Sequence, residues 1–387
     1  MLLYIHVPFC RKKCAYCAFF SRPLPEGRAG ADLLRDYLTH LLVEMRRRAE
    51  ELEHPSVASV YFGGGTPSLL PGRALKGILK EVGSLFDLQK NAEISAEANP
   101  DSALEAGWLF EAAEAGIQRL SLGFQSLDDQ RLNLLGRSHD ARAAEAAFWT
   151  ARNAGFRNIG LDLMWGLPGK RRAQSQSEWL KDLARACDLQ PEHLSAYCLT
   201  LEENSPLALA VTEGELTLPK DRALAGMYMA GADFLESRGL MHYEVANFAR
   251  MGFQCRHNLG YWEGVDYLGL GPGAVSTLKG QRESNPKDMP AWRKAAAGLL
   301  ARDCEILSAK DKLNERLMLG LRTSKGLDLA LWRDLCGRSF LEDNGPLVGL
   351  LRQKGLASLR QGRLRLSRNG MLVADAIIAQ LLISEKH

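Results

Sequence analysis

Three cysteines crowd one short segment near the start of the chain, Cys10-Arg11-Lys12-Lys13-Cys14-Ala15-Tyr16-Cys17. The C-x3-C-x2-C spacing lets three thiolates reach one inorganic centre. Three sulfur ligands hold three corners of a 4Fe–4S cube and leave one iron open to a non-protein ligand, the state of a cluster that does chemistry. Zinc is the alternative metal, but a closed structural zinc site needs a fourth protein ligand. The loop continues with Ala18 and Phe19, so Cys255 or His257 would have to supply it from afar. The basic run Arg11-Lys12-Lys13 adds positive charge, and reads equally well as a solvated tip. The chain has 8 cysteines. The other five, Cys187, Cys198, Cys255, Cys304 and Cys336, are scattered as small buried residues are. A disulfide framework would be denser and belong to a shorter chain.

A second feature is rich in glycine. Gly63-Gly64-Gly65-Thr66-Pro67 follows the apolar run Val57–Phe62. Glycine permits positive φ and close backbone approach, so free N–H and C=O groups can meet a polar ligand there. Glu97, Gln125, Arg137 and Asp162 lie at or near the ends of further strand-like runs. Each could cap a helix. Gathered at one mouth, they could serve ribose hydroxyls, carboxylates and adenine edges. Trp165-Gly166-Leu167-Pro168-Gly169 could close over a base. Far downstream, Cys255-Arg256-His257-Asn258-Leu259-Gly260-Tyr261-Trp262 offers an imidazole among aromatics. Imidazole can bind haem iron axially, although a histidine beside Tyr and Trp is more often a packed residue.

These groups need a scaffold, and the periodicity supplies one. Strand-like runs at Leu2–Val7, Val57–Phe62, Ala92–Ala96, Ile117–Phe124, Asn158–Met164 and His193–Leu199 alternate with helical patterns. The helical patterns include Pro71–Phe86, Ser102–Ala115, Asp128–Leu135, Ala141–Ala154 and Ser175–Cys187. This rhythm predicts an α/β fold, an incomplete (β/α)6 barrel whose post-strand loops build the site, with an open doubly wound sheet as competitor. Leu218–Arg238 reads as one more long helix. Beyond about residue 300 come helices at Lys310–Leu321 and Pro346–Gln353, short strands at Leu356–Arg360 and Arg363–Leu366, and a helix at Gly370–Leu382. They predict a smaller, mainly helical, winged-helix-like C-terminal domain. The expected division is a core at 1–240, an extension carrying His257 at 241–300, and this domain at 301–387.

With 387 residues, 46% hydrophobic and 25% charged, the composition is that of a globular protein and excludes a disordered or collagen-like chain. The 49 Lys and Arg against 46 Asp and Glu leave a net charge of +3, no electrostatic argument for nucleic acid or an anionic membrane. Arg360, Arg363, Arg365 and Arg368 give the C-terminal segment some basic character. A solvated face explains them better than DNA, so the segment is expected to pack or dock. No run approaches the roughly 18 apolar residues of a membrane span. The first residues lack the basic region and cleavage site of a signal peptide, so the cytoplasm is the default expectation.

The cysteine loop resembles the signature of the radical S-adenosylmethionine superfamily. The resemblance implies that the open iron chelates the amino and carboxylate groups of S-adenosylmethionine. It further implies that the reduced cluster cleaves the C–S bond to a 5′-deoxyadenosyl radical. It sets Tyr16 near the adenine, and gives Gly64, Gly65 and Thr66 the methionyl amine. Tyr4-Ile5-His6-Val7-Pro8-Phe9-Cys10, the glycine turn, Gly123-Phe124-Gln125 and Asp162-Leu163-Met164-Trp165-Gly166-Leu167-Pro168 follow the order of the coproporphyrinogen III oxidase-like family, across residues 4–280. In that family's pattern Tyr4, Glu97, Gln125, Arg137 and Asp162 contact S-adenosylmethionine, some of them a second molecule of it in the oxidase.

Two departures separate the chain from the oxidase branch. Phe19 stands where the oxidase has a fourth cysteine, and the sequence begins nine residues before Cys10, without the oxidase's extension. Both point to the haem-chaperone branch, whose His-Asn-x-x-Tyr motif resembles His257, Asn258 and Tyr261. Those residues are thereby implied in haem binding, with Cys255 as the competing soft ligand. Gly271-Pro272-Gly273-Ala274-Val275-Ser276 resembles a family segment, with Val275 in place of its usual histidine. The implied activity is delivery of haem to apo-haemoproteins such as respiratory-chain cytochromes, with no catalytic residue assigned. A bacterioferritin-like haem donor, peripheral membrane association and a homodimer are the partner expectations, and nucleic acid is not one. A radical enzyme acting on a porphyrin is the alternative.

Overall fold

The computed structural model describes residues 1–381. Six strands carry the core: β1 (Leu2–Val7), β2 (Ser56–Gly64), β3 (Asp87–Ala98), β4 (Arg119–Gln125), β5 (Asn158–Trp165) and β6 (His193–Cys198). Each pairs in parallel with the next. A doubly wound sheet reverses its strand order at a switch point, whereas here the order runs straight from β1 to β6. β1 and β6 are not neighbours, so the barrel stays open. The next strand, β7 (Tyr267–Leu270), joins β1 in parallel, and Asn247–Ala249 joins β6 antiparallel. Residues 241–306 thus extend the same sheet at both ends, with Val275–Leu278, Gln281–Ser284 and Asp303–Ile306 forming a meander beyond β7.

The two faces of the strands differ. Leu3, Ile5, Val7, Val60, Phe62, Leu120, Leu122, Phe124, Ile159 and Leu161 are buried against helices such as Gly27–Glu51, through Tyr37, Leu41 and Met45. The alternate positions carry Tyr4, His6, Tyr61, Glu97, Ser121 and Asp162. Alternation along a strand sends these to the opposite face, which encloses a polar interior.

The expected helix over Ser102–Ala115 is broken. Pro100–Ala103 and Trp108–Ala115 are separated by a 3-10 turn, because Ala106 (φ 48) and Gly107 (φ 72) adopt left-handed backbone. Sequence periodicity also missed the short helices Pro206–Thr212, Arg256–Trp262, Met289–Ala296 and Leu329–Cys336. The helix read from Pro346 begins at Phe340, with Ser339 capping Leu341 N–H, and Pro346 lies inside it. The terminal helix is divided at Val373 into Arg368–Leu372 and Ala374–Leu381, and Leu382 lies outside the described residues.

A second apolar cluster, including Leu317, Leu321, Trp332, Phe340, Leu364 and Ile377, fills the C-terminal unit. Its wing is a three-stranded antiparallel sheet of Leu327–Asp328, Arg363–Leu366 and Ala357–Arg360. Two of the four arginines there are engaged in ion pairs. Arg363 pairs with Asp328 at 2.6 Å, and Arg368 with Asp233 and Glu236 on the core helix Asp221–Ser237. Among the described residues no helix is long and apolar enough to cross a membrane.

Candidate cluster and cofactor site

The cysteine loop leaves β1 and is bracketed at its base. Arg22 N–H donates to Pro8 O at 2.8 Å and Leu24 N–H to Cys10 O at 2.8 Å. Its tip is held by Ala15 N–H on Leu135 O and Leu207 N–H on Ala15 O, both 3.0 Å. Cys10, Cys14 and Cys17 are half-buried free thiols that line one cavity of about 370 Å³ at the barrel mouth. Thr66 Oγ1 donates to Cys10 Sγ and Arg137 Nη1 to Cys14 Sγ, each at 3.4 Å. Buried Arg137 keeps its positive charge and offsets the charge that thiolates would bring. Burial pushes the Cys17 thiol up, a cost that a bound metal would relieve.

The donor set fits a three-cysteine cluster. Phe19 is 66% exposed and turned to water. Cys255 is fully buried, its thiol donating to Glu93 Oε1 at 3.5 Å. His257 has both ring nitrogens engaged. Among the described residues, the two candidate fourth ligands, Cys255 and His257, are thus both engaged elsewhere.

The glycine turn closes against the same loop. A side chain at Gly65 would meet Phe9 O at 2.5 Å, and Gly64, at φ 106, lies against the His6 ring. Gly64 N–H donates to Glu97 Oε2 at 3.2 Å and Tyr61 OH to Glu97 Oε1 at 2.9 Å. Burial, then the nearby Asp162, raises the Glu97 carboxyl to about 7. Asp162 accepts from Ser121 Oγ at 3.1 and 3.0 Å, and burial also raises its carboxyl. Gln125 stands at φ 65, where the β4–β5 register shifts. Such a backbone outlier at a site mouth is strain that its surroundings must hold.

Of the residues singled out by sequence, Cys10, Cys14, Tyr16, Cys17, Gly64, Gly65, Thr66, Glu97, Gln125, Arg137, Asp162 and Asn258 line this one cavity, and so do Phe19 at its rim and Cys255. Tyr4 stands just behind it: its ring is 6.3 Å from Tyr61 and its hydroxyl 3.1 Å from His6 Nδ1. His257 and Tyr261 do not line it. Helix Arg256–Trp262 packs beneath the strands, where His257 is 1% exposed and stacked on Tyr61 at 4.9 Å. Its Nδ1 meets Ser59 Oγ at 2.8 Å and its Nε2 meets Tyr261 OH at 3.2 Å. Burial lowers its pKa to about 3. In this conformation the imidazole is a packed core group, as its aromatic surroundings allowed.

Sequence reading missed Tyr61, Asn99, Arg119, Ser121 and His193, all on the cavity wall. Polar residues at every second position of an otherwise apolar strand were the available signal.

Comparison with known proteins decides the family. Heme chaperone HemW of Mycobacterium tuberculosis is 37% identical over 383 residues, covering 98% of this chain and 94% of the relative. The chain belongs to the HemW family of radical S-adenosylmethionine proteins. HemW of Escherichia coli is 40% identical over 272 residues, covering 70% of this chain and 68% of the relative. A mitochondrial Radical S-adenosyl methionine domain-containing protein 1 of Bos taurus is 36% identical over 403 residues, covering 98% and 87%. The Radical SAM superfamily pattern matches residues 4–174 and the HemN C-terminal domain pattern residues 307–373. Coproporphyrinogen III oxidase of Escherichia coli, a radical SAM enzyme, superposes with a TM-score of 0.83 at 23% identity, covering 98% of this chain and 89% of that one. This HemW-family chain therefore has the radical SAM fold, as the strand rhythm and the cysteine loop led one to expect.

Proposed function

We propose that this chain is a haem chaperone that carries a 4Fe–4S cluster with S-adenosylmethionine and delivers haem to apo-haemoproteins, respiratory cytochromes among them. The observation that carries this reading is the likeness to heme chaperones along 98% of the chain. Cys10, Cys14 and Cys17 would hold the cluster, which supplies an open iron to S-adenosylmethionine. Gly64, Gly65 and Thr66 offer backbone and hydroxyl groups to its methionyl end, and Tyr16 offers a ring to its adenine. Tyr4, Glu97, Gln125, Arg137 and Asp162 complete the polar wall around it.

Haem is assigned to His257, Asn258 and Tyr261. Because Nε2 of His257 faces Tyr261 OH at 3.2 Å, iron ligation through it needs that contact released and the short helix displaced. Haem titration followed by transfer to an apo-cytochrome tests the reading, with His257→Ala expected to weaken haem uptake while cluster iron is retained. Unchanged uptake and transfer by His257→Ala would remove His257 from the haem site. A wild-type chain that takes up no haem would end the chaperone reading. The same preparation reports on a homodimer, a bacterioferritin-like donor and membrane association.

One observation favours a second reading: the cavity behind the cysteines is walled by titratable groups, as the site of a radical enzyme acting on a porphyrin would be. Assays for 5′-deoxyadenosine and coproporphyrinogen decarboxylation separate the two, and robust decarboxylation would decide for the enzyme.

A further inference from the structure

The cavity that begins at the three thiols does not end at the proposed S-adenosylmethionine wall. Its floor is reached by Arg119, Ser121 and His193. Arg119 is only 3% exposed, and its Nη1 donates to Asn158 Oδ1 at 3.0 Å and Phe253 O at 2.9 Å. Neither partner is charged, and among the described residues Arg119 has no ion-pair partner. Glu93 and Asp162 act on its charge through space, but Glu93 is committed to the N–H groups of Arg256 and His257 and to the Cys255 thiol. A buried cation with no direct ion pair keeps N–H groups free for something else to meet.

His193 is the second unmet group. Its Nδ1 is buried without a hydrogen-bond partner. Its Nε2 lies 2.8 Å from Tyr243 OH, which accepts from Cys255 N–H at 3.4 Å. Tyr243 has one proton and no other recorded acceptor, so that proton goes to Nε2. The ring is held neutral by burial and by Arg119, and its own proton therefore sits on Nδ1. The cavity floor thus presents two donors, a guanidinium and an imidazole N–H.

Gly160 leaves space beside His193 and Ser121. It pairs with Ser121 on one side and His193 on the other. A Cβ there would stand 3.2 Å from His193 Nδ1 and 3.5 Å from Ser121 Oγ, filling the notch. Asp162, one inward position nearer the mouth, is occupied by Ser121 and its carboxyl is raised by burial.

We propose that this notch, with Arg119 and His193 Nδ1–H as donors over Gly160, is an oxyanion subsite that takes the carboxylate of a molecule lodged in the barrel. A molecule anchored there rises toward the three thiols through the same cavity. The carboxylate belongs either to a propionate arm of a tetrapyrrole or to the α-carboxylate of an amino acid. In the first case the subsite deepens, and rests on, the haem-chaperone reading.

The test uses the full chain and two iron-free acids, coproporphyrin III followed by fluorescence and methionine followed by calorimetry, each against its methyl ester. Loss of a charge-assisted hydrogen bond predicts that one acid binds about tenfold or more tighter than its ester, and that Arg119→Gln loses a similar factor. The acid that binds identifies the source. Arg119→Gln also gives up two structural hydrogen bonds, so Gly160→Ala, which keeps every donor and only fills the notch, is the companion variant and is expected to lose as much. Equal binding of acid and ester, or wild-type binding by Gly160→Ala, overturns the subsite. Because neither probe contains iron, ligation by His257 does not enter. A chain that binds an acid at the floor yet takes up no haem refutes the chaperone reading alone.

Discussion

His6 Nε2 donates to the carbonyl oxygen of Phe20 at 2.8 Å, while its Nδ1 accepts from Tyr4 OH at 3.1 Å. One imidazole thus ties β1 to the returning arm of the cysteine loop and fixes the phenol of Tyr4. Burial keeps the ring neutral, as this donor–acceptor pattern requires. The ring also fills the space that Gly64 leaves open.

His6→Ala is therefore expected to loosen the loop before it unfolds the barrel. The lost hydrogen bonds are worth about 1 kcal/mol each. Iron and acid-labile sulfide per chain after anaerobic reconstitution should fall more steeply than global stability. Equal iron content in wild type and variant would show that the loop holds itself.

Replacing Cys10, Cys14 or Cys17 by Ala is expected to abolish the cluster's visible absorption. Phe19→Ala should leave iron per chain unchanged, because that side chain, 66% exposed at the cavity rim, has no atom that can ligate iron. The same holds for Cys255→Ser, since the thiol is committed to Glu93. Loss of iron in Cys255→Ser would reveal a fourth ligand and remove the open corner, whereas loss in Phe19→Ala would show that the ring supports the loop by packing.

Glu97 makes stability depend on pH. Its folded-state carboxyl titrates at about 7, above its unfolded value of about 4.3. The folded chain binds this proton more tightly, so the contribution is full below about pH 4 and is lost as pH rises through about 7. At about 1.4 kcal/mol per unit, the ceiling is about 4 kcal/mol. Glu97→Gln should raise the urea midpoint at about pH 8 relative to wild type and have little effect near pH 5. Glu244, also raised to about 7 by burial, keeps part of the slope in the variant. Parallel pH curves for the two proteins would contradict this assignment.

Arg368 clamps the C-terminal unit to the core through Asp233 and Glu236. Arg368→Ala should cost about 1 kcal/mol and expose the C-terminal unit to limited proteolysis, with Arg368→Lys recovering part of the protection. Unaltered cleavage kinetics would show that apolar contacts alone hold the unit.

Much of the barrel was legible because its signals are local. Six apolar runs at βα spacing identify the strands, since each must bury one face against a helix. The break at Ala106 and Gly107 was not legible, because the flanking residues all favour helix and only the left-handed pair decides. The short helices Pro206–Thr212 and Arg256–Trp262 span too few turns to show a period. The candidate site divides similarly. The thiols and the glycine turn announce themselves by type and spacing, whereas Arg119 and His193 are single polar residues on apolar strands.

By itself the sequence determined the three-sulfur loop, the glycine turn and the order of the strands, because each is written in neighbouring residues and needs no distant partner. Tertiary structure alone decided the state of His257, whose nearest partner, Ser59, is 198 positions away in the chain. It alone decided that Arg119 has no direct ion pair and that Gly160 leaves space beside His193 and Ser121. Protonation, burial and vacancy depend on what the fold brings next to a group, and that is set by packing across strands rather than by order along one.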